Sequence, residues 1–224
     1  MQEHALSTAT PSRTARCWLP ATLLLLALAA CSPYADAERD VAAGGRGLAK
    51  LNPAPKQAYE LVLTLKDAPG PFVVAEGVAQ YDVSNHESCG RILSATGTAG
   101  RITSQEPVEL RKVGENEYRG TFYLDRMQDE DYYGRGACHW TLTGVGAMLR
   151  ATNGEADTRF LTYLKKERVN AGSPLTLYYP KIAYPRAELA ANYPASGKED
   201  PSGYKEDLRD ALFSTTTTVQ KLAP

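Results

Sequence analysis

From Tyr59 to Lys66 the chain reads YELVLTLK, and its side chains alternate. Tyr59, Leu61, Leu63 and Leu65 fall on one side; Glu60, Thr64 and Lys66 fall on the other. A period of two belongs to a strand with one buried and one wet face. DAPGPF then turns the chain with Pro69, Gly70 and Pro71, and VVAEGVAQYDV over 73–83 reads as a second strand, bulged at Gly77. Further strands are expected at PVELRKV (107–113) and at ENEYRGTFYL (115–124), where Tyr118, Phe122 and Leu124 share a face. ACHWTLTGV (137–145) follows, with Cys138, Trp140 and Leu142 on one face and a kink at Gly144 or Gly146. TRFLTYL (158–164) gives a sixth. So many short strands separated by turns predict a mainly β fold, an antiparallel β-sandwich or barrel-like sheet.

Between these strands, residues 84–104 are turn-rich and read as a long irregular excursion. Beyond Leu164 the alternation loosens into a Tyr/Pro-rich arm near residues 174–200, where Pro180, Pro185 and Pro194 forbid a continuous helix or a central strand. SGYKEDLRDALF reads as a short C-terminal helix capped by Ser202, with Tyr204, Leu208 and Leu212 on one face. FSTTTTVQKL reads as a closing strand. The formal charge of −1 becomes −2 once residues 1–30 are removed, taking Glu3, Arg13 and Arg16 with them. Such a balance gives no electrostatic reason to expect a nucleic-acid partner.

The start of the chain is of a different kind. Arg13 and Arg16 precede an apolar run over residues 17–30 that is stopped by Ser32-Pro33. A basic flank, a short apolar core and small residues at its end describe an export signal. The run is short for a bilayer span, which needs about 20 apolar residues. Its last four residues, Leu28-Ala29-Ala30-Cys31, resemble the lipobox of bacterial lipoproteins. That resemblance implies that the Cys31 thiol takes a diacylglyceryl group, that the chain is cut before Cys31, and that the new amine is acylated. Acyl chains contribute about 0.8 kcal/mol per buried CH2, so a membrane anchor follows. Ser32 stands where an aspartate would imply inner-membrane retention, so the implied location is the outer membrane, facing the periplasm. The expected organisation is a signal over residues 1–30, a lipidated cysteine and flexible tether over 31–57, and one β-rich domain over 58–221. Gly44, Gly45, Gly47, Pro53 and Pro55 support the tether.

With Cys17 in the signal and Cys31 carrying lipid, Cys89 and Cys138 remain. In an oxidising periplasm they are expected to pair, closing a loop of about 50 residues worth about 4 kcal/mol in the chain-entropy picture. The rival assignments are weaker. A Cys89 nucleophile with His86 or His139 as base is incompatible with a paired cysteine, and HESC and CH lack the ligand spacing of a zinc site.

The densest polar stretch is DRMQDEDYYGRG, a loop expected between two strands. It is a solvated turn, a calcium site, or a protein-contact loop in which Asp129, Glu130, Asp131, Tyr132 and Tyr133 meet a partner. The loop lacks the EF-hand spacing. GxSxG, SxxK, HExxH, the Walker A loop and GxGxxG before a helix do not occur. No catalytic residue, cofactor or metal ligand is therefore expected, and the chain reads as a non-catalytic binding protein.

YELVLTLKDAPGPF, GVAQYDV and DEDYYGRGACHW together resemble a group of exported bacterial lipoproteins associated with secretion-system toxins. The likeness covers roughly residues 58–164, with a weaker echo in YYPKIAYPRAEL and the final strand. It implies an immunity-type inhibitor, a lipid-anchored domain that binds and neutralises a toxin enzyme in the periplasm. The alternative is a structural, calcium-binding or ligand-binding outer-membrane lipoprotein with no toxin partner.

Overall fold

Two five-stranded sheets lie face to face, each bringing one apolar side to a shared interior. The computed structural model describes residues 33–43 and 45–223; the expected export signal and Cys31 lie outside them. The strands are β1 (Ala58–Lys66), β2 (Val74–Val83), β3 (Thr103–Val108), β4 (Arg111–Gly114), β5 (Glu117–Tyr123), β6 (Trp140–Arg150), β7 (Arg159–Lys165), β8 (Leu175–Pro180), β9 (Pro194–Ala195) and β10 (Leu212–Lys221). One sheet has the order β4-β5-β1-β10-β8 and the other β3-β2-β6-β7-β9. Pairing is antiparallel except between β7 and the two-residue β9. Neither sheet closes on itself, so of the two expected β architectures the chain adopts the sandwich. The helices are short: α1 (Pro33–Ala42), α2 (His86–Cys89), α3 (Lys166–Ala171) and α4 (Glu206–Arg209). Among the described residues no helix is long and apolar enough to cross a membrane.

The alternation of β1 places Leu61, Leu63 and Leu65 inside. From the facing sheet come Val145, Ala147, Leu149, Phe160 and Leu164. At one end Phe72, Phe160, Tyr179 and Phe213 form an aromatic cluster with ring centroids 5.1–5.8 Å apart. Polar groups also cross the interior. Tyr81 Oη on β2 donates to the Tyr123 carbonyl of β5 (2.5 Å), and Tyr179 Oη on β8 donates to the Leu161 carbonyl of β7 (2.7 Å). Tyr118 Oη on β5 donates to the Phe72 carbonyl in the turn leading to β2 (3.0 Å). Burial raises all three phenol pKa values above the ordinary range, so these hydroxyls stay protonated and donating. Thr162 of β7 and Thr217 of β10 face each other across the sheets with their hydroxyls 2.7 Å apart.

Several expectations are corrected in detail. PVELRKV is not one strand: β3 ends at Val108 in one sheet and β4 begins at Arg111 in the other. The crossing chain passes over one glycine of each sheet. A side chain on Gly77 would meet the Val108 carbonyl at 2.5 Å, and one on Gly120 would meet the Glu109 carbonyl at 2.7 Å. Gly77 therefore admits a close approach rather than a bulge. The register slips instead between Gln80 and Tyr81, opposite Thr143, beside the expected kink at Gly144. The first residues of the Tyr/Pro-rich arm form β8, an edge strand that Pro180 ends. The C-terminal helix shrinks to a 3-10 turn at Pro201–Gly203 and the single turn α4. Asp200, not Ser202, caps that 3-10 turn, accepting from the Ser202 N–H at 2.8 Å. The segment expected as a flexible tether carries α1 and is then laid along the domain. Asn52 N–H donates to the Arg126 carbonyl, Gln128 N–H to the Lys50 carbonyl, and Arg46 Nε to Glu106 Oε1 at 2.7 Å. Glu106 is 3% exposed and also accepts from Ser104 Oγ. A buried carboxylate needs such a partner, which the tether reading did not supply.

The Thr162–Thr217 pair gives a direct test. Either single valine substitution leaves one buried hydroxyl without its partner and should destabilise the fold by about 1–3 kcal/mol. The double valine variant should recover most of that loss. Urea denaturation of the four proteins checks this; additive single losses in the double variant would contradict it.

Candidate functional site

Cys89 and Cys138 form the expected disulfide, which ties α2 to the strand-like residues entering β6. Around it the acidic loop folds inward upon itself. Asp125 Oδ2 and Oδ1 accept the N–H groups of Lys56 and Gln57 at 2.9 and 3.0 Å. Asp129 Oδ1 accepts the Trp140 N–H at 2.9 Å, and Oδ2 lies 2.7 Å from His139 Nδ1. Glu130 pairs with Lys50 Nζ at 2.6 Å, and its carbonyl accepts the Cys138 N–H. Asp131 Oδ1 accepts the N–H groups of Arg135 at 2.9 Å and of Tyr133 at 3.3 Å. Desolvation pushes the Asp131 carboxyl up, but backbone N–H groups of Gly136, Arg135, Tyr133 and Gly134 outweigh it and hold the carboxyl below its ordinary value.

The two tyrosines also turn inward. Tyr132 Oη donates to the Gln128 carbonyl and accepts from Trp140 Nε1 at 3.3 Å. Tyr133 is half-buried and stacks on Tyr34 of α1, their centroids 5.7 Å apart. Arg91 sits over the Tyr34 ring and pairs with Glu38. The five residues expected to meet a partner are thus brought together, but as a braced loop under α1. Asp129 and Asp131 remain exposed, Glu130 is partly covered, and the tyrosine rings serve the fold. Among the described residues no group of three or more His, Cys, Asp or Glu side chains gathers as a metal would require.

The opposite end of the sandwich carries a feature that sequence reading left as an arm. β6 has eleven residues, so roughly 34 Å separates its two ends. Residues 181–198 close this far end and are pinned by polar contacts, the Thr158 pair of them buried. Thr158, fully buried, donates to the Ala183 carbonyl at 2.7 Å and accepts the Ala187 N–H at 2.8 Å. Tyr184 Oη donates to the Pro71 carbonyl and Tyr204 Oη to the Tyr178 carbonyl, each at 2.7 Å. Held this way, the arm borders an apolar cleft of about 450 Å³ with Tyr179 and Ala183 in its floor and Tyr193 and Tyr204 in its walls. On its lips Ile182 is 64% and Leu189 85% exposed. Lys181 and Arg186 flank them and make no ion pair among the described residues. The available signal in the sequence was the placing of large aliphatic residues without a period among three prolines.

Comparison with protein-family models, curated proteins and solved structures finds no match to this chain. Any functional reading therefore rests on the residues themselves.

The Asp131 loop makes a prediction about pH. Its carboxyl titrates lower in the folded loop than in the unfolded chain. The stabilisation is then fully present above the ordinary aspartate range and is lost as pH falls through the folded value. The Arg135 amide, bonded to Asp131, should shift in NMR spectra only below roughly pH 4. A midpoint above that range would contradict the assignment.

Proposed function

We propose that this chain is a non-catalytic lipoprotein, anchored through Cys31 in the outer membrane and facing the periplasm, that captures and neutralises a secreted toxin enzyme. One observation carries the proposal: two large aliphatic side chains are held in water, on a pinned arm, beside an apolar cleft. Clustered exposed apolar groups with a polar rim mark surfaces that bind other proteins. Pre-fixing them lowers the entropy that binding must overcome. The disulfide fits an oxidising compartment, and the lipobox resemblance supplies the anchor.

The arm also changes which residues are the first choice for contact. Asp129, Glu130 and Asp131 hold their own loop, and that loop lies under α1, the helix that follows Cys31. Anchoring at Cys31 turns this end toward the membrane and the arm away from it. Glu188 and Lys198 line the cleft, with Lys181 and Arg186 next to its lips in the chain, so the rim offers a partner charges of both signs around an apolar element.

Residues 32–224, produced in the periplasm without the lipid cysteine, would be presented to secreted proteins of sibling bacteria. A stoichiometric hydrolase that loses activity on capture is the expected result. Leu189→Glu and Ile182→Glu should each weaken capture about tenfold or more, whereas Asp131→Asn should leave it within about threefold. Full capture by the two glutamate variants would move the contact away from the arm, and the absence of any inhibited enzyme would end the immunity reading.

A further inference from the structure

A second cleft, of about 490 Å³, opens at the disulfide end, where β7 leads into α3. Its floor is apolar, made by Leu124, Met127 and Leu142, and Trp140 lines it beside them. The indole is fixed from behind: its backbone N–H is held by Asp129 and its ring N–H by Tyr132. Gln57 and Asn170 stand at the rim, and their side chains make no hydrogen bond among the described residues. Lys166 reaches in from α3, with Nζ donating to Thr141 Oγ1 at 2.5 Å.

The chemistry of these groups selects among ligands. Two carboxylates line the cleft, but the Asp125 oxygens are taken by two backbone N–H groups, and those of Asp129 by a backbone N–H and His139. They offer a cation little free oxygen. A single lysine, already hydrogen-bonded, is a weak match for an anion. What remains free is neutral: primary amides that donate and accept at once, set around an indole and an apolar floor. A ring with apolar C–H faces and hydroxyl edges satisfies both, because its faces lie on the aromatic surface and its hydroxyls exchange hydrogen bonds with the amides.

We infer that this cleft is a binding site for a neutral saccharide, recognised by Trp140 with Gln57 and Asn170. The site is separate from the arm and does not depend on the toxin-capture reading.

The chain holds two tryptophans, Trp18 and Trp140. In the full chain carrying Trp18→Phe, tryptophan emission excited beyond the tyrosine absorption band therefore reports on Trp140 alone. Chitotriose and maltotriose serve as neutral probes, and glutarate as an anionic one. The expected result is a saturable change in Trp140 emission with at least one saccharide, weakened about three- to tenfold by Gln57→Ala and by Asn170→Ala. Both substitutions lie at an exposed rim, and circular dichroism checks that the fold is kept. No change with either saccharide up to about 10 mM, equal binding by the two alanine variants, or a stronger response to glutarate would each overturn the inference.

Discussion

The two sheets are held together by hydroxyl groups that cross the interior and end on the opposite backbone. Apolar packing alone tolerates sliding, because burial is not directional. A phenol that must reach one particular carbonyl fixes how far apart the sheets lie and where each strand stands. Tyr81 and Tyr179 do this from opposite sheets, and Tyr118 does it from β5 to the turn that carries the chain across. An unmade bond in that interior costs about 1–3 kcal/mol, so an alternative register is penalised at several points at once. The arm uses the same device: the Thr158 hydroxyl, bonded on both sides, ties it to the sandwich.

With the two sheets fixed, the ends of the sandwich acquire different characters. At one end the disulfide, the acidic loop and α1 interlock, with the loop's carboxylates bonded internally and Tyr132 and Tyr133 turned inward. At the other the arm leaves aliphatic side chains uncovered. In the proposed function, a lipid on Cys31, two residues before α1, would orient this polarity relative to the membrane. The apolar lips would then face the space from which a soluble partner arrives, on a support too short and too well bonded to fold away.

Much of this fold was legible in the sequence because side-chain alternation is a local signal. β1 and β5 bury the faces that the alternation assigns; β2, β7 and the final strand form where strands are expected. The switch between β3 and β4 was not legible, because PVELRKV alternates through it. What breaks the strand is the pair of glycines beneath the crossing, which come together only in three dimensions. The Arg46–Glu106 contact was hidden for the same reason: a charge in a glycine-rich segment looks solvated until the carboxylate 60 residues away is found buried. The acidic loop stands out by its composition, but composition does not distinguish side chains that face a partner from side chains that face their own backbone. The arm was hardest, since proline erases periodicity and the position of Ile182 and Leu189 depends on Thr158 and Tyr184.

The central claim is that the arm end meets the partner and the disulfide end does not. Photo-crosslinking in intact cells tests it most directly. A benzophenone side chain would be placed at position 189 in one strain and at position 131 in another, and both would be grown against toxin-secreting siblings. The account predicts a covalent adduct with one secreted enzyme at position 189 and none at 131. An adduct at 131 with none at 189 would contradict it.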